Sequence, residues 1–243
     1  MAHTLFISDL HLDPARAAIT DLFLEFLRST APRAEALYIL GDLFEAWIGD
    51  DAADTAHRPV IEGLRALVAS GTPVYLMHGN RDFLMGARFE QMSGARLLPD
   101  PSVITLYGQP ALLMHGDTLC TDDVDYQQFR ARVRDERWQR EFLALSPARR
   151  AEIAHRLRAA SEEYTREKKP EIMDVNPRAV ERALREHGVW RLIHGHTHRP
   201  AVHTFPLDGR TATRIVLGDW YEQGSVLHCD AAGCRLVSLP LPN

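Results

Sequence analysis

Three absences narrow what this chain can be before any motif is read. Cysteine is scarce and irregularly spaced. Cys120, Cys229 and Cys234 form neither an even disulfide framework nor a zinc-ligand pattern, and they read as reduced thiols of a cytosolic protein. Long hydrophobic runs are missing too. Nothing approaches the roughly 20 apolar residues that span a bilayer, and the apolar start of MAHTLFISDLHL is too short for a secretory leader. Finally there is no basic excess: the net charge of −5 argues against a general nucleic-acid binder. No internal repeat, low-complexity tract or linker stands out.

What is present is a 243-residue chain, 45% hydrophobic and 25% charged, enough for a sizeable core in one domain with an elaboration. Over the first 120 residues short apolar runs alternate with helical spacing. Leu5-Phe6-Ile7, Leu37 to Leu40, Val74 to Met77 and Ala111 to Met114 predict buried strands. Ile19 to Leu27 and Pro59 to Val68 predict helices, with Pro59 in a first turn. The alternation predicts an α/β layered fold. Each of the four strands runs directly into Asp, His, Asn and Gly, at the strand ends where open α/β sheets place ligands.

The pattern changes near Asp123. Tyr126, Phe129 and Val133 have the spacing of one helix face, and Ile153, Leu157, Ala160 and Tyr164 of another. From Arg130 to Arg158 nine arginines meet four acids, a local positive excess that predicts a helical insertion facing an anionic partner. Beyond it, Ala179 to Glu186 predicts a helix. Leu192-Ile193, Arg214 to Leu217, Ser225 to Cys229 and Arg235 to Leu239 predict strands.

Five blocks carry chemistry: SDLHL with Asp9 and His11, GDLFEAW with Asp42, HGNRDF with Asn80, MHGD with His115, and HGHTHRP with His196 and His198. Singly, each has a plain reading as a cap or turn. Together they gather two aspartates, an asparagine and histidines at strand ends. In an extended chain His194, His196 and His198 would also share one side. Imidazole with carboxylate and amide oxygen suits Mn, Fe, Zn or Co better than Mg or Ca. The lack of cysteine argues against a closed structural zinc site. Seven ligands exceed what one ion with open positions needs; two ions sharing a carboxylate would use them all. Such pairs, about 3.5–4 Å apart, clamp the attacking and leaving oxygens of a phosphoryl displacement and lower the pKa of bound water to about 7.

The order of these motifs resembles the calcineurin-like metallophosphoesterase superfamily, with its D-x-H, G-D, G-N-[HR]-[DE], G-H and G-H-x-H pattern. The resemblance implies a layered β-sandwich flanked by helices. It places Asp9, His11 and His198 on one metal and Asn80, His115 and His196 on a second, with Asp42 bridging. His194 precedes the glycine of the last motif and is expected to be structural. Arg81 stands where many members have histidine; its guanidinium fork suits phosphate oxygens, with Asp82 orienting it or nearby loop groups.

The longer stretches LYILGDLFEAWIGDD, HGNRDFL, MHGDTLCTDD, IMDVN and IHGHTHRPAVH look like the UDP-2,3-diacylglucosamine diphosphatases. That likeness covers nearly the whole chain. It implies a core over residues 1–122 and 170–243 with a helical lid at 123–169, and cleavage of a lipid-linked UDP sugar by Mn²⁺-activated water attacking the α-phosphate. Asn80, Arg81 and His196 are the expected catalytic residues. Substrate contacts are expected at Asn80, Arg81, Asp123, Ser161, Thr165, Lys168 and His196, although Thr165 departs from the family's asparagine. The lid's apolar side chains would take the acyl chains, and its arginines would meet anionic lipid on the cytoplasmic face of the inner membrane. A monomer without nucleic acid is expected. Three alternatives remain open here: a soluble nucleotide pyrophosphatase or cyclic-nucleotide phosphodiesterase, a non-catalytic scaffold, and a nucleic-acid enzyme, which the acidic charge outside the insertion makes the weakest. A scaffold of this fold should lack some of the seven ligands.

Overall fold

The computed structural model describes residues 2–53, 56–167 and 172–241, with 162–167 as helix backbone. The four apolar runs of the first half become β1 (Thr4–Ile7), β2 (Ala36–Ile39), β3 (Val74–Met77) and β6 (Gln109–Met114). The first three lie parallel and are extended by the short β4 (Arg96–Leu98). β10 (Gln223–Asp230) pairs antiparallel with β1, and β11 (Gly233–Pro240) closes that edge, giving the order β11-β10-β1-β2-β3-β4. A second sheet runs β5-β6-β7-β9-β8, where β5 is Ser102–Leu106, β7 Arg191–His194, β8 Ala201–Leu207 and β9 Arg210–Val216. Its inner strands β6, β7 and β9 are parallel, and antiparallel strands border them.

Alternation along each strand sorts the core into layers. Phe6, Leu40, Leu113, Ile193, Ile215 and Leu227 point between the sheets. Leu5, Ile7, Leu37 and Ile39 point outward under α1 (Ala17–Ser29) and α2 (Arg58–Ala69). On the opposite side Leu112 and Leu192 pack beneath α7 (Pro177–Glu186). Strands buried on both faces explain why these runs read as continuous apolar segments rather than alternating ones. The result is an α/β layered fold, as the alternation predicts, in the form of the helix-flanked sandwich that the family resemblance implies.

Some elements gave weak signals. β4 has three residues, α3 (Ala87–Ser93) has seven, and β8 carries the turn-like Pro206. The cysteine reading needs a correction. Cys229 and Cys234 face each other across the β10–β11 hairpin, Cα atoms 4.1 Å apart, and are joined as a disulfide; only Cys120 is free, and it is buried. Directly opposed residues of an antiparallel pair approach this closely, so a separation of five across a tight turn was itself a pairing signal. Cysteine usage therefore lends no support to a reducing compartment.

The sequence between Asp123 and Glu167 forms three helices, α4 (Val124–Arg134), α5 (Glu136–Leu143) and α6 (Pro147–Glu167). Asp123 and Asp135 cap the first two by accepting backbone N–H groups. Of the two expected apolar faces, Val133 is buried, but Phe129 and Leu157 are 42% and 38% exposed. Phe142 is buried in the core cluster, with Trp138 and Ile153 packed against it. No described helix is long and apolar enough to cross a membrane.

Trp220 joins core to loops. It is fully buried, meets Phe23 and Phe26 edge-on, donates its indole N–H to Ser225 O and its backbone N–H to Asp9 O. Trp220→Ala should cost about 3–5 kcal/mol. For a chain of this size that lowers the melting temperature by roughly 6–20 °C, a shift that thermal unfolding followed by circular dichroism would register.

Candidate dimetal centre

The loops after β1, β2, β3, β6, β7 and β9 converge at one end of the sandwich. Asp9 N donates to Gly41 O and His11 N to Asp42 O, so the first two loops run side by side. Close approach is enforced by glycine. A Cβ on Gly79 would stand 2.1 Å from Asp42 Oδ1, and one on Gly195 would stand 2.3 Å from Asp9 Oδ2. Among the described residues seven non-glycines have positive φ, and five of them are Asp9, His11, Asp42, His196 and His198. A left-handed backbone costs a non-glycine residue on the order of 1–3 kcal/mol and gathers where function needs it.

The side chains meet as two groups sharing an edge. In the first, His11 Nε2 lies 3.3 Å from His198 Nε2, and Asp9 Oδ1 lies 3.4 Å from the same His198 nitrogen. In the second, Asn80 Oδ1 is 2.9 Å from His115 Nε2 and 3.0 Å from His196 Nδ1. Asp42 Oδ2 stands between them, 3.7 Å from His11 Nε2 and 3.8 Å from His115 Nε2. The other carboxylate oxygens are occupied: Asp9 Oδ2 accepts from Ser8 Oγ and His196 N, and Asp42 Oδ1 from Arg81 N. Asp9 Oδ1 is buried with no hydrogen-bond partner.

These residues fit divalent metal. His11 Nδ1 faces Glu45 at 3.4 Å and His198 Nδ1 faces Asp219 at 3.2 Å. With protons on those outer nitrogens, both Nε2 atoms turn toward one point beside Asp9 and Asp42, an arrangement that positive charge stabilises and that suits a metal ion. The charge balance agrees. Burial resists charging His198, yet Asp219 and Asp9 raise its pKa to about 10; burial likewise resists His115, yet Asp42, Asp117 and Asp9 raise it to about 9. Burial alone would raise Asp9, but His198, His115 and His11 hold its carboxyl well below the usual range. Groups of three that could hold an ion are Asp9, His11, His198 and Asp9, Asp42, His115.

Other expected residues are placed as follows. His194 closes β7, fully buried, and donates from Nδ1 to Gly195 O, while burial pushes its pKa down to about 3. His196 and His198 sit on left-handed loop backbone, so the three histidines do not share one extended face. Arg81 has a buried Nε without a hydrogen-bond partner. Asp82 accepts from Gly79 N and Leu43 N, bracing the loops beneath Arg81 rather than Arg81 itself. Desolvation, with Asp42 beside it, raises its pKa to about 6. Asp123 spends Oδ1 on the α4 cap, and Ser161 is half-buried on α6. The Thr165 side chain and all of Lys168 lie outside the described residues.

Sequence reasoning passed over Glu45 and Asp219, the carboxylates behind two histidines. Asp219 had a signal: its Gly-Asp follows β9 as Gly41-Asp42 follows β2. It also passed over Asp117, which is buried and takes an ion pair at 2.6 Å from Arg130 and a hydrogen bond from the Tyr126 hydroxyl.

The chain is 58% identical to the UDP-2,3-diacylglucosamine hydrolase of Xanthomonas campestris pv. campestris (strain ATCC 33913), over 98% of this chain and 99% of the relative. It is 56% identical to the UDP-2,3-diacylglucosamine hydrolase of Stenotrophomonas maltophilia (strain K279a), over 97% and 98%. Among solved structures, a novel archaeal phosphodiesterase aligns over 98% of this chain and 99% of its own, at 12% identity and a TM-score of 0.48. Residues 2–200 match the calcineurin-like phosphoesterase model, and the chain belongs to that family.

Proposed function

We propose that this chain hydrolyses UDP-2,3-diacylglucosamine to UMP and 2,3-diacylglucosamine 1-phosphate, a step of lipid A synthesis, at a centre holding two divalent ions, Mn²⁺ in preference. The observation that carries the reading is Asp42 Oδ2, set almost equally far from one imidazole of each group, the position of a shared ligand. Asp9, His11 and His198 would hold one ion and Asn80, His115 and His196 the other. Bound there, the ions would activate water and neutralise phosphate oxygens. The remaining work falls to the chain. Arg81, its backbone fixed by Asp42, directs a guanidinium at the diphosphate, where charge grows as the bond between the α-phosphorus and the bridging oxygen breaks. Asn80 and His196 orient the α-phosphoryl group. The incoming water oxygen ends in UMP, and the sugar leaves with its 1-phosphate.

Residues 123–169 serve in this reading as a lid, with Asp123, Ser161, Thr165 and Lys168 as substrate contacts. Exposed Phe129, Leu143, Leu145 and Leu157 offer acyl chains an apolar surface that a small soluble nucleotide would not need. The enzyme would meet its substrate on the cytoplasmic face of the inner membrane. Arg132, Arg137, Arg140, Arg149 and Arg156 face outward there. The other four arginines of the 130–158 run turn inward, so this contact rests on about half of the charge the sequence offered.

Three outcomes test the reading. Asp42→Ala or His115→Ala should abolish Mn²⁺-dependent turnover of the acylated UDP sugar while the protein stays folded. Turnover of UDP-glucose as fast as of the acylated substrate would instead favour a soluble pyrophosphatase. Arg81→Ala should lower kcat at least 100-fold with little change in KM, as expected for a contact that strengthens in the transition state; a rise in KM alone would refute the role. In flotation with anionic vesicles, neutralising the five outward arginines should remove salt-sensitive binding, and equal binding by both forms would end the membrane proposal.

A further inference from the structure

The α6 helix reaches the dimetal centre through two side chains that no family motif assigns. Arg158 Nη1 forms an ion pair with Glu45 Oε1 at 2.7 Å, and the other oxygen of that carboxylate lies 3.4 Å from His11 Nδ1. Arg158 also lies near the Tyr221 hydroxyl, where its charge acts on that group. The Tyr221 ring stacks on His11 with centroids 5.6 Å apart and lies 5.5 Å from the His198 ring. One guanidinium thus pairs with Glu45 and stands near Tyr221, the two groups that bracket His11. Its opposite number, Asp219 on His198, belongs to the loop between β9 and β10. Glu45 and Arg158 are 83% and 72% shielded, more than a surface ion pair of little consequence would be.

We propose that Glu45 and Arg158 are positioning residues through which α6 fixes the ring of His11, so that the grip on one metal ion depends on where that helix sits. The proposal rests on His11 being a ligand. A carboxylate behind a ligating imidazole holds its proton on the far nitrogen and sharpens the near lone pair, and losing such a partner typically weakens metal binding 10–100-fold. Arg158 acts one step further out by holding Glu45 against His11.

Calorimetric titration of metal-free protein with Mn²⁺, without substrate, tests this directly. Glu45→Ala should weaken one of two sites 10–100-fold, and Glu45→Gln, which keeps an acceptor for the Nδ1 proton, less. Arg158→Leu should weaken the same site several-fold, Arg158→Lys less than that, and Arg28→Leu on α1 not at all. The double variant Glu45→Ala/Arg158→Leu should be no weaker than Glu45→Ala alone, since both changes act along one chain of contacts. Melting curves identify any variant that does not fold, and the Gln and Lys forms then carry the test. Full Mn²⁺ affinity in folded Arg158→Leu and Arg158→Lys, or additive losses in the double variant, would overturn the link. If His11→Ala still binds both ions at wild-type affinity, the ligand assignment has failed instead.

Discussion

The structure is organised around two carboxylates kept out of water. Asp9 and Asp42 are 0% and 2% exposed, and the effective penalty for burying an ion is several kcal/mol even after relaxation. Ser8, His196 N and Arg81 N offset part of it through the inner oxygens. The outer oxygens, among imidazoles, are compensated only by positive charge. This one constraint explains why glycines stand at 79 and 195, why five of the site residues keep a left-handed backbone, and why Trp220 pins Asp9 from below. A sandwich with three packed apolar layers can hold such strain; a loosely packed loop cluster could not.

The same constraint decides how much of the site was legible. The seven candidate ligands follow apolar runs directly, so a strand reading places them at one end without further information. Their neighbours were harder to read. Glu45 lies three residues beyond Asp42, in a loop whose path no periodicity predicts, and its approach to His11 depends on β1 and β2 lying side by side. Asp219 repeats a Gly-Asp pattern but follows a strand that begins as RTATR, weakly apolar by itself. The Cys229–Cys234 pair shows the converse: the local spacing was visible, but the meaning of that spacing depended on a hairpin register. β4, with three residues, and α3, with seven, lack enough periods to be recognised.

Charge was the least transparent signal. Nine arginines between 130 and 158 suggest an outward basic face, yet four are internal fasteners. Arg130 holds Asp117, Arg134 donates to Gly79 O, Arg150 is fully buried and bound to Ile48 O and Asp51, and Arg158 holds Glu45. Each reaches a loop that follows one of the strands β2, β3 or β6. Guanidinium suits this task because it offers several fixed donors, keeps its charge and tolerates partial burial. Most of the outward arginines have acids within a helical turn, such as Arg137 with Glu141 and Arg140 with Glu136, which reduces the net field they present.

That arrangement bears on how a lipid and a diphosphate can be handled by one small protein. The phosphorus needs rigid, dry, exactingly spaced donors, which the sheet ends provide. Acyl chains need a broad apolar surface with little directional demand, which helices provide at low cost in specificity of contact. The two requirements conflict if both surfaces move independently, because a shift of about 1 Å at the reacting centre can cost 100-fold in rate. Fastening α4 and α6 to the loops beside the ligands removes that independence. Arg130 and Arg134 tie α4 to the loops after β6 and β3, while Arg150 and Arg158 tie α6 to the loop after β2. The apolar surface is therefore held in register with the candidate metal-binding atoms by ion pairs and hydrogen bonds, together with the packing of Phe142, Trp138 and Ile153 on the core. Selectivity for a lipid-linked substrate would then follow from one geometric feature: the helices that would hold the tail share hydrogen bonds with the loops that would hold the phosphate.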